Sequence, residues 1–136
     1  MTTTLSALAR TELTVLAALA AISADGSTAT PMDTTQYEGM GAFTLFALTG
    51  GSGALDTFLE ESDASGSGYT DIPSTRLIKE DGTTANYAQI TTGAAAEQRF
   101  VNFNECKKYV RVRNDVTGST SVTRGVLVHG QKKYQT

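Results

Sequence analysis

Two runs near the C-terminal end of the chain place their valines at every second position. In Tyr109-Val110-Arg111-Val112-Arg113 the valines fall on one side of an extended chain and Tyr109, Arg111 and Arg113 on the other. In the second run Val122, Arg124, Val126 and Val128 alternate with Thr123, Gly125, Leu127 and His129. A period of two belongs to a strand with one buried face, not to a helix. Between the runs, Asn114 to Ser121 is rich in Asn, Asp, Gly and Ser, which favour a turn through φ > 0 tolerance or side-chain bonds to the backbone. The pair predicts an antiparallel hairpin. A lone hairpin is marginal in water, so other strands must cover its valines.

The preceding chain offers such strands. Phe43 to Leu48 is apolar at nearly every position, the pattern of a central strand covered on both faces. Three glycines among Gly50, Gly51, Ser52 and Gly53 end it. Leu55, Thr57 and Leu59 then oppose Asp56, Phe58 and Glu60, and Ser62 to Gly68 reads as a turn before a short edge piece ending at Pro73. Arg76 to Thr92 reads as short strands and loops anchored by Ile78, Tyr87 and Ile90, and Arg99, Val101 and Phe103 oppose Gln98, Phe100 and Asn102. Residues 14–21 are ambiguous: Ala and Leu favour a helix, but β-branched Thr14 and Val15 and the Ser23-Ala24-Asp25-Gly26 turn favour a strand, continued by an extended piece near Thr28 to Met32.

Seven or eight short strands separated by turns predict an all-β fold, an antiparallel β-sandwich of jelly-roll or immunoglobulin-like type with an extended N-terminal arm. The expected organisation is an arm over 1–12, a sandwich over 13–130 and a tail over 131–136. Phe43, Leu45, Phe46, Phe58, Leu59, Val110, Val112, Val126 and Val128 are the expected core. At 136 residues the length suits one domain.

The formal net charge of −3 argues against general nucleic-acid binding, but the charge is unevenly placed. Residues 51–97 hold eight acidic and two basic residues, and residues 107–133 hold seven basic and one acidic. Tyr109 between Lys107, Arg111 and Arg113 reads as a solvated sheet face whose long side chains cover apolar surface. No run of eighteen apolar residues and no basic segment leading into an apolar one occurs, so neither a membrane span nor a signal peptide is expected.

The residues offer little for chemistry. His129 is the single histidine, so no histidine cluster can hold a metal within one chain. Cys106 is the single cysteine, which excludes an internal disulfide and reads as a semi-buried thiol. Adjacent Glu60 and Glu61 face opposite sides of a strand and cannot act as a carboxylate pair. The Gly/Ser loop near Asp63 and Asp71 lacks the ligand run of a calcium loop, and Gly50 to Gly53 lacks the lysine of a phosphate cradle. Catalytic residues, cofactors and metals are therefore not expected.

Several of these segments together resemble small auxiliary virion proteins of tailed bacteriophages. The resemblance lies in Tyr37, the Phe43 to Leu48 strand, Leu59-Glu60-Glu61-Ser62-Asp63 with Gly68-Tyr69-Thr70-Asp71-Ile72, then Lys108-Tyr109-Val110-Arg111-Val112 and Val126-Leu127-Val128-His129-Gly130. It covers residues 15–130, and Ser23 to Gly26 is similar to the start of that pattern. The Thr/Ala/Leu-rich beginning and the Lys132-Lys133-Tyr134 tail depart from it.

The resemblance implies a structural protein on the outer surface of the head, decorating or cementing the capsid shell. Its partner would be the major capsid protein lattice, with a dimer or trimer of this chain as a further expectation. Leu5, Leu8 and Arg10 in the arm, Lys107, Arg111 and Arg113 on the basic strand, and Lys132 and Lys133 in the tail are the expected contact residues. The alternatives are a head-to-tail connector or tail protein, and a sandwich that binds carbohydrate on a host surface through Tyr69 and Tyr87.

Overall fold

The computed structural model describes residues 11–48, 53–91, 94–118 and 122–133. The expected arm contacts Leu5, Leu8 and Arg10 lie outside the described residues, as does Tyr134 of the tail. No α-helix occurs among the described residues. The strands are β1 (Thr11–Ile22), β2 (Gly26–Ser27), β3 (Met32–Asp33), β4 (Tyr37–Leu48), β5 (Ala54–Ser62), β6 (Thr70–Asp71), β7 (Ala94–Asn102), β8 (Tyr109–Thr117) and β9 (Val122–Lys132). Residues 14–21 are thus strand. The sheets extend into the expected arm at Thr11 and into the expected tail as far as Lys132.

The strands form two antiparallel sheets packed face to face, as expected of a β-sandwich. The first has the order β1-β9-β4-β7, and the second β2-β8-β5-β6 with β3 also pairing β8. The predicted hairpin does not form, because β8 and β9 lie in different sheets. β8 pairs β5 from Ala54↔Thr117 to Ser62↔Tyr109, whereas β9 lies between β1 and β4. Val110 and Val112 therefore meet Val126 and Val128 across the core, all four fully buried. Alternation reports only which side is buried, and a turn between sheets leaves the same pattern as a turn within one.

The inward faces supply Leu16, Phe43, Leu45, Leu55, Leu59, Val101 and the valines of β8 and β9. Phe46 and Phe58 are not core residues as expected. Phe46 lies on the outer side of β4, and Phe58 on the outer side of β5 beneath the Arg113 guanidinium, 4.3 Å from its ring centre. β4 is central but covered on one face only: Phe43, Leu45 and Ala47 are buried, and Phe46 and Leu48 are exposed.

The segment from Ile72 to Ile90 closes one side of the sandwich. Ile90 and Leu55 exchange backbone bonds of 2.9 and 3.0 Å, and Ile78 and Phe100 exchange bonds of 2.7 and 3.0 Å. Leu77, not the expected Ile78, is buried in the core beside Ile72, Tyr87 and Ile90. Buried Arg99 holds this segment by donating to Ala85 O and Asn86 O, both at 2.8 Å. At one end, Phe103 stacks on Tyr37 with ring centres 5.0 Å apart and lies 5.7 Å from Phe43. Gly41 and Gly130 form the floor beneath these rings, where a Cβ would collide with them.

Candidate functional site: an uncharged sheet face opposite a charge-paired one

The two outer faces of the sandwich differ in chemistry. On the second sheet, cross-strand register places Glu60 opposite Arg111, and Phe58 opposite Arg113. Arg111 Nε donates to Glu60 Oε2 at 2.8 Å. Arg113 reaches Asp71 at 2.6 Å, Asp115 at 3.2 Å and Glu60 at 3.4 Å. The Arg111 guanidinium also lies over the Tyr69 ring, 3.7 Å from its centre. The two arginines face three carboxylates, so the expected basic docking face is neutralised within the molecule. The sequence missed this because two of the three acidic partners, Glu60 and Asp71, come from strands remote in the chain.

The remaining expected contacts fall elsewhere. Lys107 is exposed, and its amide donates to Glu61 Oε2 at 3.1 Å. With Lys108 and exposed Lys133 it borders one shallow hollow beside Phe103 and Asp63. Lys132 makes an ion pair of 2.6 Å with Glu12, fastening the start of β1 to the end of β9. The Lys132 ammonium and the Tyr37 hydroxyl hold the Glu12 carboxyl below its usual range.

The segment that carries the family resemblance has structural duties. Glu61 is buried and takes a two-pronged bond from Arg76, at 2.6 and 3.1 Å, which locks the 74–76 turn to β5. Ser62 donates to Ser67 O, Gly68 supplies a positive φ of 74°, and buried Ile72 donates to Leu59 O at 2.8 Å. Cys106 sits half-buried beside Arg76, and burial pushes its thiol up to about 11. Tyr87 is buried and donates to Phe43 O at 2.6 Å, so it cannot form the expected exposed sugar-binding pair with Tyr69. Among the described residues no cluster of His, Cys, Asp and Glu could hold a metal ion, and no helix is long and apolar enough to cross a membrane.

The outer face of the first sheet is built differently. Register sets Leu13, His129, Ala42 and Phe100 in one row and Val15, Leu127, Thr44 and Gln98 in the next. Gly125, Phe46 and Ala96 make a third row, where Leu19 lies against Gly125, and Ala21, Thr123, Leu48 and Ala94 make a fourth. None of these positions carries Asp, Glu, Lys or Arg. The large hydrophobic residues exposed among the described residues are Leu13, Val15, Leu19, Met40, Phe46 and Leu48, between 41% and 69% exposed, and all lie on this face. Four strands and four rows span about 500 Å² at ordinary strand spacings. Polar His129, Thr44, Gln98 and Thr123 take part of that area, and the remainder is in the range of the largest apolar patches of typical monomers, which often mark an interaction site. Sequence reasoning missed it because period-two alternation in β4 was hidden by apolar residues on both sides.

No protein-family model matches the sequence, and no curated protein matches it.

Proposed function

We propose that this chain is a non-enzymatic structural protein of a tailed-phage virion that decorates or cements the capsid shell. The observation that carries the reading is the gathering of the exposed large apolar side chains on one uncharged sheet face, while the opposite face consumes its charges internally. Such a face suits a flat, uncharged surface on the shell subunits, since any charge brought against it would lose water without gaining a partner. The resemblance of residues 15–130 to auxiliary virion proteins supplies the shell as the partner. Its best-marked segment, Glu61 to Ile72, serves to lock a turn, in keeping with a role without chemistry. Many copies docking on a symmetric lattice need only a modest affinity each, because neighbouring contacts raise the effective concentration.

The test is mass spectrometry and electron microscopy of purified particles, counting and locating copies of the chain. Hundreds of copies on the shell, with the β1/β4 face against it, are expected. A handful at one vertex or on the tail would move the protein to the connector or the adsorption apparatus, and absence from particles would overturn the reading.

A further inference from the structure

Arg124 is buried among apolar residues of β9, 2% exposed, between Val122 and Val126 on the inward face. Among the described residues its one hydrogen bond is a short contact from Nη2 to Asn114 Oδ1, and its Nε has no partner. Every other buried or half-buried arginine among the described residues meets a carboxylate or several carbonyls. Arg99 has three carbonyls and Glu97, Arg76 has Glu61, and Arg111 and Arg113 have Glu60. Thr57, directly across the ladder from Asn114, is a second buried residue whose hydroxyl has no partner. Burial without a counter-charge lowers the Arg124 pKa to about 10, so the guanidinium is still charged at neutral pH.

Arg124 lines a cleft of about 470 Å³ that opens where edge strands β1 and β2 part. Its walls include Leu16, Ala17, Ile22, Thr28 and Asn114, and Arg124 is the charged residue among them. The acidic residues adjacent in sequence to that wall, Asp25 and Asp115, are not part of it: Asp25 accepts from Val116 N–H at 2.6 Å and Asp115 pairs with Arg113 at 3.2 Å. Concave, mostly apolar sites with one convergent polar group are the usual form of a small-ligand pocket, and the volume falls within their range.

We propose that this cleft binds a carboxylate carried on a short aliphatic chain, the carboxylate pairing with the Arg124 guanidinium and the chain lying against Leu16, Ala17 and Ile22. A carboxylate matches the planar fork of a guanidinium and supplies the missing charge, and a bulkier, more hydrated anion would leave the apolar walls unfilled. The same chemistry can come from a small aliphatic acid or from the C-terminal end of a peptide lying along the free edge of β1. The inference stands whether or not the protein decorates a shell.

The test is NMR titration of the full ¹⁵N-labelled chain with butanoate, with butan-1-ol as the uncharged control, and with acetyl-Ala-Val as acid and as amide. Saturable shifts are expected at the Arg124 Nε–H and at the amides of Thr28, Asn114 and Leu16, with butanoate, with the peptide acid, or with both. The pattern identifies the source, and neither butanol nor the amide should act. Arg124→Met should weaken binding at least tenfold. Ala20→Leu, which fills the cleft opposite Arg124 and leaves the cation in place, should do the same if the first variant fails to fold. No saturable shift with either acid, or butanol and butanoate binding alike, would overturn the proposal.

Discussion

Replacing Arg124 by Met should leave the protein folded and within about 2 kcal/mol of its present stability, far from the loss expected on removing a well-compensated buried cation. The fall of the guanidinium pKa to about 10 through burial corresponds to about 3 kcal/mol of lost hydration in the folded state, at about 1.4 kcal/mol per tenfold. Methionine removes that cost and fills similar space, with a shape penalty below about 1.5 kcal/mol. The variant also strips Asn114 Oδ1 of its donor, and an unsatisfied buried acceptor costs about 1–3 kcal/mol. The net lies between a loss of about 1.5 kcal/mol and a gain of about 2 kcal/mol. Asn114→Val points the other way: it removes the one partner of a buried cation and should cost about 3 kcal/mol or more. The double variant, with both polar groups gone, should be at least as stable as Arg124→Met. Urea denaturation at pH 7 with an unchanged slope gives the three values, and each kcal/mol moves the thermal midpoint by about 3–4 °C in a chain of this size. A loss above about 2 kcal/mol for Arg124→Met, with Asn114→Val near neutral, would refute the reasoning. It would show that the guanidinium is well compensated where it lies.

Further expectations can be checked on the same protein. Leu19→Lys and Leu48→Lys remove side chains already 69% and 60% exposed, so stability should fall by less than about 1 kcal/mol, whereas occupancy on particles should drop at least tenfold. Equal occupancy in a quantitative gel of repurified particles would count against the apolar face. Attachment should hold or strengthen between 50 mM and 500 mM salt, because the arginines of the opposite face are already paired, and steep weakening in a sedimentation assay would restore the basic strand as the contact. Gly41→Ala should cost about 1–3 kcal/mol in urea, since the new methyl meets the Phe103 ring, itself packed between Tyr37 and Phe43; an unchanged midpoint would mean that this corner is loosely packed. The Cys106 thiol, raised to about 11, remains protonated at pH 8, so iodoacetamide should modify it about a hundredfold more slowly than an unperturbed cysteine, accelerating only as pH approaches 11.

The strands were legible in the sequence where one face was plainly apolar and the other plainly polar. Val110 and Val112, Leu55 to Leu59, and Arg99 to Phe103 took the sides that alternation assigned to them. The partition of strands between sheets was not legible, because β8 and β9 read identically whether they pair or face each other. Phe46 and Phe58 were misplaced for a related reason: a phenylalanine signals burial only on average. One here sits under a guanidinium, and the other is on an uncovered face. Arg124 was on the valine side of its strand by alternation alone, yet charge made it an implausible core residue, and only the folded chain shows it enclosed.

The same limit explains why the proposed contact surface is the apolar sheet and not the basic strand. Net charge along a segment measures attraction to a partner only if the charges stay unpaired, and pairing is decided by which strands become neighbours. Once β5 lies beside β8, Glu60 is opposite Arg111, and β6 brings Asp71 to Arg113. The long-range field of the basic segment collapses to short ion pairs screened within about 10 Å. The apolar face has no such internal remedy, because its rows stand on β1, β9, β4 and β7 with nothing of the described chain across them. Burying the apolar part of its roughly 500 Å² at about 25 cal/mol per Å² offers less than about 12 kcal/mol before the cost of immobilising two bodies, estimated at 4–15 kcal/mol. The net affinity of a single copy should therefore be weak, and firm attachment should require the repeated contacts of a lattice.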